Sequence, residues 1–224
     1  MITKRQAEKI LSLFNSGDEI NILLALNLIT SLDAFEDIAQ YSDEYLGNIS
    51  HKSLDTMEAL YTYQGVKTSE TVINILGVWD QLLETSEEHK KVKRKTFHVL
   101  LNLLYLENRY DTQVPDNAIK LVINKTGDKF ELWLKENWYL KNLSTLLPYI
   151  HKANKLSKDL PNLQKEYSTS LHGKGILAKT KNDHHFLDLL DIVRKSKSKI
   201  QYALFPAWQP DQAGLVLKIG VLNN

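Results

Sequence analysis

With no cysteine among 224 residues, thiolate nucleophiles, disulfides and every zinc or iron–sulfur site that depends on sulfur are excluded. His184 and Asp188 stand one helical turn apart and could face one ion, with His185 adjacent and Asp191 adding acidity nearby. A metal site takes three or four ligands, and neither an HExxH spacing nor a second pair accompanies these residues. A capped helix start carrying surface histidines is the plainer reading, so His184 and Asp188 remain the metal candidates while no metal and no cofactor is assigned. Gly173-Lys174-Gly175 offers amides and a cation to a phosphate, but it lacks the Gly-x-x-x-x-Gly-Lys-Ser/Thr spacing and reads as a flexible turn. Glu84 and Glu88 are also one turn apart, yet Ser86 divides them between two helices. Acid–base work needs two carboxylates in differing surroundings within one cleft. No catalytic residue is assigned.

Binding chemistry is better represented. Lys90, Lys91, Lys93, Arg94 and Lys95 make the densest basic run, and Arg194, Lys195, Lys197 and Lys199 make a second. On a helix Lys91 and Lys95 share a face while Lys93 points elsewhere, which spreads the charge; a nucleic-acid groove gathers cations on one side and adds stacking aromatics. If the two runs meet on one face, a phosphate-binding surface follows. Trp79 lies within an apolar stripe and belongs to a core, whereas Trp133, Trp138, Tyr139 and Trp208 lie where helical periodicity is poor. Large aromatics outside a core pattern are candidate interface anchors, since Trp and Tyr give much contact at little entropic cost. The alternative is that they fill a junction between two parts of the fold.

The elements that must position these groups read as short amphipathic helices over the first two thirds. Ala7, Ile10, Leu11 and Phe14 fall on one helical face before Gly17, and Asp18 caps a second helix from Glu19 to Thr30 that is apolar around much of its circumference. Asp33 opens a pattern with Phe35 and Ile38, and Ser53 caps another with Leu54, Met57, Leu60 and Tyr61 before Gly65. Val72, Ile75, Leu76, Trp79, Leu82 and Leu83 keep strict helical spacing, and Val92, Val99, Leu100, Leu103 and Leu104 continue after the Ser86 break. Pro115-Asp116 then looks like a capped start for a helix over Asn117 to Lys125 ended by Gly127, and a further helix spans Ser144 to Leu160 with Pro148 in its first turn. After Pro161 the texture changes: Tyr167 to Leu177 is loop-like with a short strand, Asp183 caps a helix, and Ile200 to Phe205 and Leu215 to Leu222 alternate as strands joined by a Pro206 to Gly214 loop.

Residues 13–29, Leu-Phe-Asn-Ser-Gly-Asp-Glu-Ile-Asn-Ile-Leu-Leu-Ala-Leu-Asn-Leu-Ile, resemble the helical hairpin found in bacterial multidomain proteins that carry leucine-rich repeats. The resemblance implies a scaffold hairpin and carries no catalytic residue with it; the leucine-rich consensus is absent from the rest of the chain.

Composition bounds the class. Hydrophobic residues make up 43% and charged residues 25%, as in ordinary globular chains and unlike disordered or fibrous ones. The N-terminus is charged where a signal peptide would be apolar, and no apolar run is long enough to span a bilayer. With the lack of cysteine this points to a cytoplasmic chain without membrane contact. Net charge is only +1, which argues against wholesale polyanion binding. It is unevenly spread: residues 1–60 hold 4 Lys+Arg against 10 Asp+Glu, and residues 152–224 hold 12 against 6.

The sequence therefore predicts a mainly α chain, antiparallel helical hairpins as a HEAT-like stack or irregular bundle over 1–160, with a small α+β element containing a β-hairpin over 161–224. Its predicted function is that of a non-enzymatic, protein-binding scaffold or adaptor, immunity-like, whose acidic start steers a basic protein partner. Trp133, Trp138, Tyr139, Trp208, Lys91 and Lys95 are the predicted binding residues. The alternative is a hydrolase or nucleic-acid-modifying enzyme sited between the two parts, using His184, His185 and Asp188, or His172 with Lys174.

Overall fold

The computed structural model describes residues 1–41, 49, 54, 57–82, 87–107, 114–115, 117–127, 129–177 and 182–222, with backbone alone at 82, 87–89, 172–177 and 182–185. Three helices lead: α1 (Lys4–Asn15), α2 (Glu19–Ser31) and α3 (Phe35–Gln40). Thr3 and Gln6 form a capping box on α1, and Asp18 caps α2 by accepting from the Asn21 amide. Between them Gly17 adopts φ +69°, the left-handed conformation that glycine takes without steric cost. The expectations around Tyr45 to Asn48, at Ser53, at Ser86 and at Asp116 lie outside the described residues.

From there the chain alternates. Strand β1 (Tyr61–Val66) precedes α4 (Ser69–Leu82) and α5 (Glu87–Tyr105). Strands β2 (Ala118–Thr126) and β3 (Lys129–Tyr139) lead into α6 (Leu140–Leu156), α7 (Leu160–Leu177) and α8 (Asn182–Ser196), and β4 (Gln201–Pro206) with β5 (Gln212–Leu222) closes the chain. The five strands form one antiparallel sheet in the order β1-β2-β3-β5-β4. This overturns the mainly α expectation: the molecule is a mixed α and β fold, and no stack of helical hairpins spans residues 3–160.

The reason is local. Ala118, Leu121 and Val122 fit helical spacing, but Ile119, Leu121 and Ile123 fit a two-residue period, and the β-branched side chains favour the pleated surface. In β3 the alternation Phe130, Leu132, Leu134, Trp138 is the strand signal that aromatic content obscured. The helix from Ser144 begins instead at Leu140, leaving Pro148 in its interior, where its ring removes one backbone hydrogen bond. Tyr167 to Leu177 is helix, not loop: Asp159 caps α7 by accepting from the Asn162 amide at 3.2 Å, and Pro161 occupies the first turn. Tyr61, expected on a helix, is in β1. The C-terminal strands are present as the edge of the common sheet, so strands on both sides of residue 160 share one hydrogen-bonded layer.

One sheet face carries Leu121, Ile123, Leu132, Leu134, Trp138, Leu215, Leu217 and Ile219 and packs against helices bearing Leu100, Leu103, Leu104, Leu143, Leu147, Leu190 and Val193. The opposite face holds a smaller cluster of Val122, Trp133, Ala203 and Val216, covered by Ile49 and Leu54 with Met57 and Ala59 at its edge. Gly214 lies on that second face, and a Cβ there would overlap the Phe205 ring. A sheet lined by apolar groups on both sides explains why β5 is buried along almost its whole length.

Candidate functional site

The apolar circumference of α2 reaches the surface. Its Ile22, Ala25, Leu26 and Ile29 enter the core. On the other side Ile20, Leu23, Leu24 and Asn27 form a second stripe at i, i+3, i+4, i+7, in which Ile20 is 77% and Leu24 49% exposed. A helix apolar all round is ordinarily covered on both sides; here Ile20 and Leu24 are left exposed while Leu23 is half-buried. Leu23 and Asn27 from this stripe, Tyr139, Leu140, Lys141 and Asn142 from the β3–α6 junction, and Asp211 from the β4–β5 turn line an open cleft of about 410 Å³. The Leu140 amide donates to the Asp211 carbonyl at 2.9 Å, which ties the turn to the start of α6, and Thr145 donates to Glu19 at 2.5 Å, which ties α6 to α2. The same β4–β5 turn carries Trp208, 98% exposed. An indole so fully in water has no role in holding the chain together, which makes it a candidate contact residue.

The other predicted aromatics are placed differently. Trp138 is entirely buried on the helix side of the sheet, its Nε1 donating to Glu136 Oε1 at 2.8 Å. Trp133 is 4% exposed within the second cluster, with the Lys218 ammonium 4.5 Å from its ring. Both are buried and not surface anchors, because alternation along β3 puts Trp138 on the helix-covered face and Trp133 in the smaller cluster opposite. Tyr139, half-buried, lines the α2 cleft. Trp79, as expected, is core, edge-on to Phe130 at 5.3 Å.

A second constellation escaped the sequence reading. Lys67 Nζ lies 2.7 Å from Glu107 Oε2 and 2.8 Å from Glu136 Oε2, and these three side chains are 4%, 2% and 1% exposed. Asn117 donates to Glu107 Oε2 at 3.1 Å and to the Asn137 carbonyl at 3.0 Å, while the Val114 amide donates to Glu107 Oε1. Burial, reinforced by Glu107 and only partly offset by Lys67, holds the Glu136 carboxyl above its usual range. For Lys67, burial pulls downward, but the two facing carboxylates more than reverse it and hold the ammonium above the ordinary lysine value. Two acids share one base inside the protein. A charged residue at a strand end, a helix end and a sheet face, 29 to 69 positions apart, leaves no local spacing to find.

The two basic runs do converge. Lys90, Lys91, Arg94 and Lys95 of α5 and Lys195 of α8 line one cleft of about 400 Å³. Lys93 turns away to Asp80, 3.0 Å from its carboxylate, as helical phase predicts. Arg194 turns inward, 2.5 Å from Asp191 and 4.3 Å over the Tyr167 ring. Asp188 is half-buried on α8, whereas the side chains of His172, Lys174, His184 and His185 lie outside the description. Among the described residues no group of three or more His, Asp or Glu could hold a metal ion, and no helix is long and apolar enough to cross a membrane.

No protein-family model matches this chain, and no curated protein matches it. Among solved structures, a chain of the SiaB-SiaC complex from Pseudomonas aeruginosa is similar, with a TM-score of 0.56 at 18% sequence identity, covering 78% of this chain and 99% of that one. At that identity the likeness concerns the fold: this chain shares the mixed helix-and-sheet architecture of that protein.

Proposed function

We propose that this chain is a non-enzymatic protein-binding adaptor that receives a basic partner protein on the face formed by α2, the β3–α6 junction and the β4–β5 turn. The observation that carries the reading is the pair of exposed apolar side chains Ile20 and Leu24 on α2 beside a cleft, flanked by a turn bearing the fully exposed Trp208. Apolar groups in such a stripe contribute about 25 cal/mol per Å² when a partner covers them, and a central tryptophan is among the commonest hot spots. The net negative balance of residues 1–60 supports a basic partner through faster encounter, with the apolar contacts setting residence time. The likeness to a protein solved as part of a two-protein complex is in keeping with this use of the fold. An immunity-like role is one form such an adaptor takes.

The test begins with capture from native lysate on the immobilised chain, identification of the retained protein, and calorimetric titration of that protein in purified form. Trp208→Ala and Leu24→Glu should each weaken a one-to-one complex by about 30-fold or more, the loss of a hot spot of about 2 kcal/mol. Lys91→Gln, in the basic cleft, which shares no lining residue with this face, should leave it unchanged. A stoichiometric partner indifferent to Trp208→Ala and Leu24→Glu, or binding no partner at all, would refute the assignment.

A further inference from the structure

We infer that β1 is a docking edge for a second copy of this chain, the two strands pairing antiparallel about a two-fold axis at Tyr63 and joining two sheets into one. The inference is independent of the protein-binding face, which uses none of these residues. Strand β1 stands at one end of the order β1-β2-β3-β5-β4, with β4 at the other. The two ends are finished differently. Strand β4 stops at Pro206 and has α3 packed against it, whereas β1 reads Tyr-Thr-Tyr-Gln-Gly-Val, with neither a charge nor a proline. Charges and prolines are what ordinarily keep a sheet edge from pairing with another chain. Thr62, Gln64 and Val66 are exposed along β1, Val66 at 42%, and Leu60 just before it is 43% exposed.

The register follows from which backbone groups point outward. In an antiparallel ladder alternate residues turn both N–H and C=O toward the same neighbour. The Lys67 amide donates to the Asn117 carbonyl at 3.0 Å, and Val66 lies opposite Ala118 and Tyr61 opposite Ile123, so the odd-numbered residues face β2. The backbone groups of Thr62, Gln64 and Val66 therefore point away from it. The Val66 carbonyl is already engaged, accepting from the Tyr63 hydroxyl at 3.1 Å and the Thr71 hydroxyl at 3.2 Å. That leaves the N–H and C=O of Thr62 and Gln64, and one antiparallel register pairs them all: Thr62 opposite Gln64 of the second copy, and Gln64 opposite Thr62 of the second copy. The same register sets the two Tyr63 residues opposite each other and brings the exposed Leu60 of each copy against the exposed Val66 of the other. Because β1 carries no charge, self-pairing opposes no like charges within it. One sequence thus supplies both halves of a closed, two-fold contact, which is the reason to assign the edge to a second copy.

A six-residue edge is a small contact of the weak, transient class, so the full chain is followed by sedimentation equilibrium from about 1 to 500 μM, where a reversible monomer–dimer equilibrium that stops at two copies is expected. Thr62→Lys with Gln64→Lys sets lysine against lysine twice across the axis and should weaken dimerisation by about tenfold or more. Both positions are exposed, so the melting temperature of this variant should match that of the wild type. Thr62→Lys with Gln64→Glu sets lysine against glutamate in the same register and should return the dimer to within about threefold of wild-type affinity. Cross-linking reads the register directly, because the chain has no cysteine of its own. Directly opposed residues with Cα atoms about 5.5 Å apart lie within disulfide reach. An equimolar mixture of Thr62→Cys and Gln64→Cys chains should therefore join on mild oxidation, while either variant alone, with its thiols two residues out of register, should not. A chain that stays monomeric throughout the series, association that continues past the dimer, a dimer indifferent to the double lysine variant, or equal cross-linking in the mixture and in the single variants would overturn the inference.

Discussion

Replacing Lys67 by Met removes the one base from a buried group that then holds two carboxylates. The three side chains are at most 4% exposed, with the ammonium 2.7 and 2.8 Å from its partners, so water cannot take over its role. Breaking a buried pair by deleting one partner costs about 3–5 kcal/mol. Proton uptake sets a ceiling on that cost. Neutralising a carboxyl of unfolded pKa about 4.3 costs about 1.4 kcal/mol per pH unit above that value, hence about 4 kcal/mol at pH 7 and about 1 at pH 5. The variant should therefore lose about 4 kcal/mol at pH 7 and recover most of it by pH 5. With a urea slope of about 2 kcal/mol per M, the midpoint falls by about 2 M at the higher pH and by about 0.5 M at the lower.

The wild type has the same sign with smaller amplitude. Glu136, held above its ordinary range, binds its proton more tightly when folded, so its contribution weakens as pH rises from about 4.3 through its folded value. Lys67, raised above 10.5, contributes stability that is present below that value and lost above its folded one. Glu136→Gln leaves one acid and one base and keeps an oxygen to accept from Trp138 Nε1. It should cost less than about 1 kcal/mol and flatten the pH dependence below neutrality. Urea midpoints at pH 5, 7 and 8.5 for the three proteins decide the matter. Equal stability of Lys67→Met and wild type at pH 7, or a Lys67→Met loss that does not vary with pH, would show that the group is hydrated or differently charged and that this reasoning is wrong.

Two further outcomes follow from the packing. Gly214→Ala forces the Phe205 ring off the sheet and should destabilise the chain by about 1–3 kcal/mol, with Phe205→Ala in the same chain restoring part of the loss; thermal unfolding of the two variants and their combination checks the coupling. Asp18→Ala removes the side chain that accepts from the Asn21 amide at 3.0 Å and should cost about 1 kcal/mol, read as a lowered urea midpoint, while Asp18→Asn should retain most of the cap.

Local signals were legible wherever local physics decides. The cap at Asp18, the turn at Gly17 and the faces of α1, α4 and α5 follow from spacing of 3.6 residues and from unsatisfied amides at helix starts. Lys91 and Lys95 were placed on one face, with Lys93 off it, by the same geometry. Residues 118–126 were misread because Ala118, Leu121 and Val122 satisfy a helical period while Ile119, Leu121 and Ile123 satisfy an extended one, and only neighbours in space choose between them. Trp133 and Trp138 fit no helical period because they belong to a strand, and only the packing on each of its faces shows that both are buried.

What the sequence determined by itself was the extent of the first two helices, the lack of any thiol chemistry, and how charge is distributed along the chain, since each depends on residue identity and short spacing. What only the tertiary structure decided was the sheet, the union of Lys67, Glu107 and Glu136, the meeting of two basic runs across α5 and α8, and the exposure of Trp208 and of Ile20 and Leu24 on α2. Those features join residues tens of positions apart, and no periodicity along a chain encodes which distant segments will exclude water together.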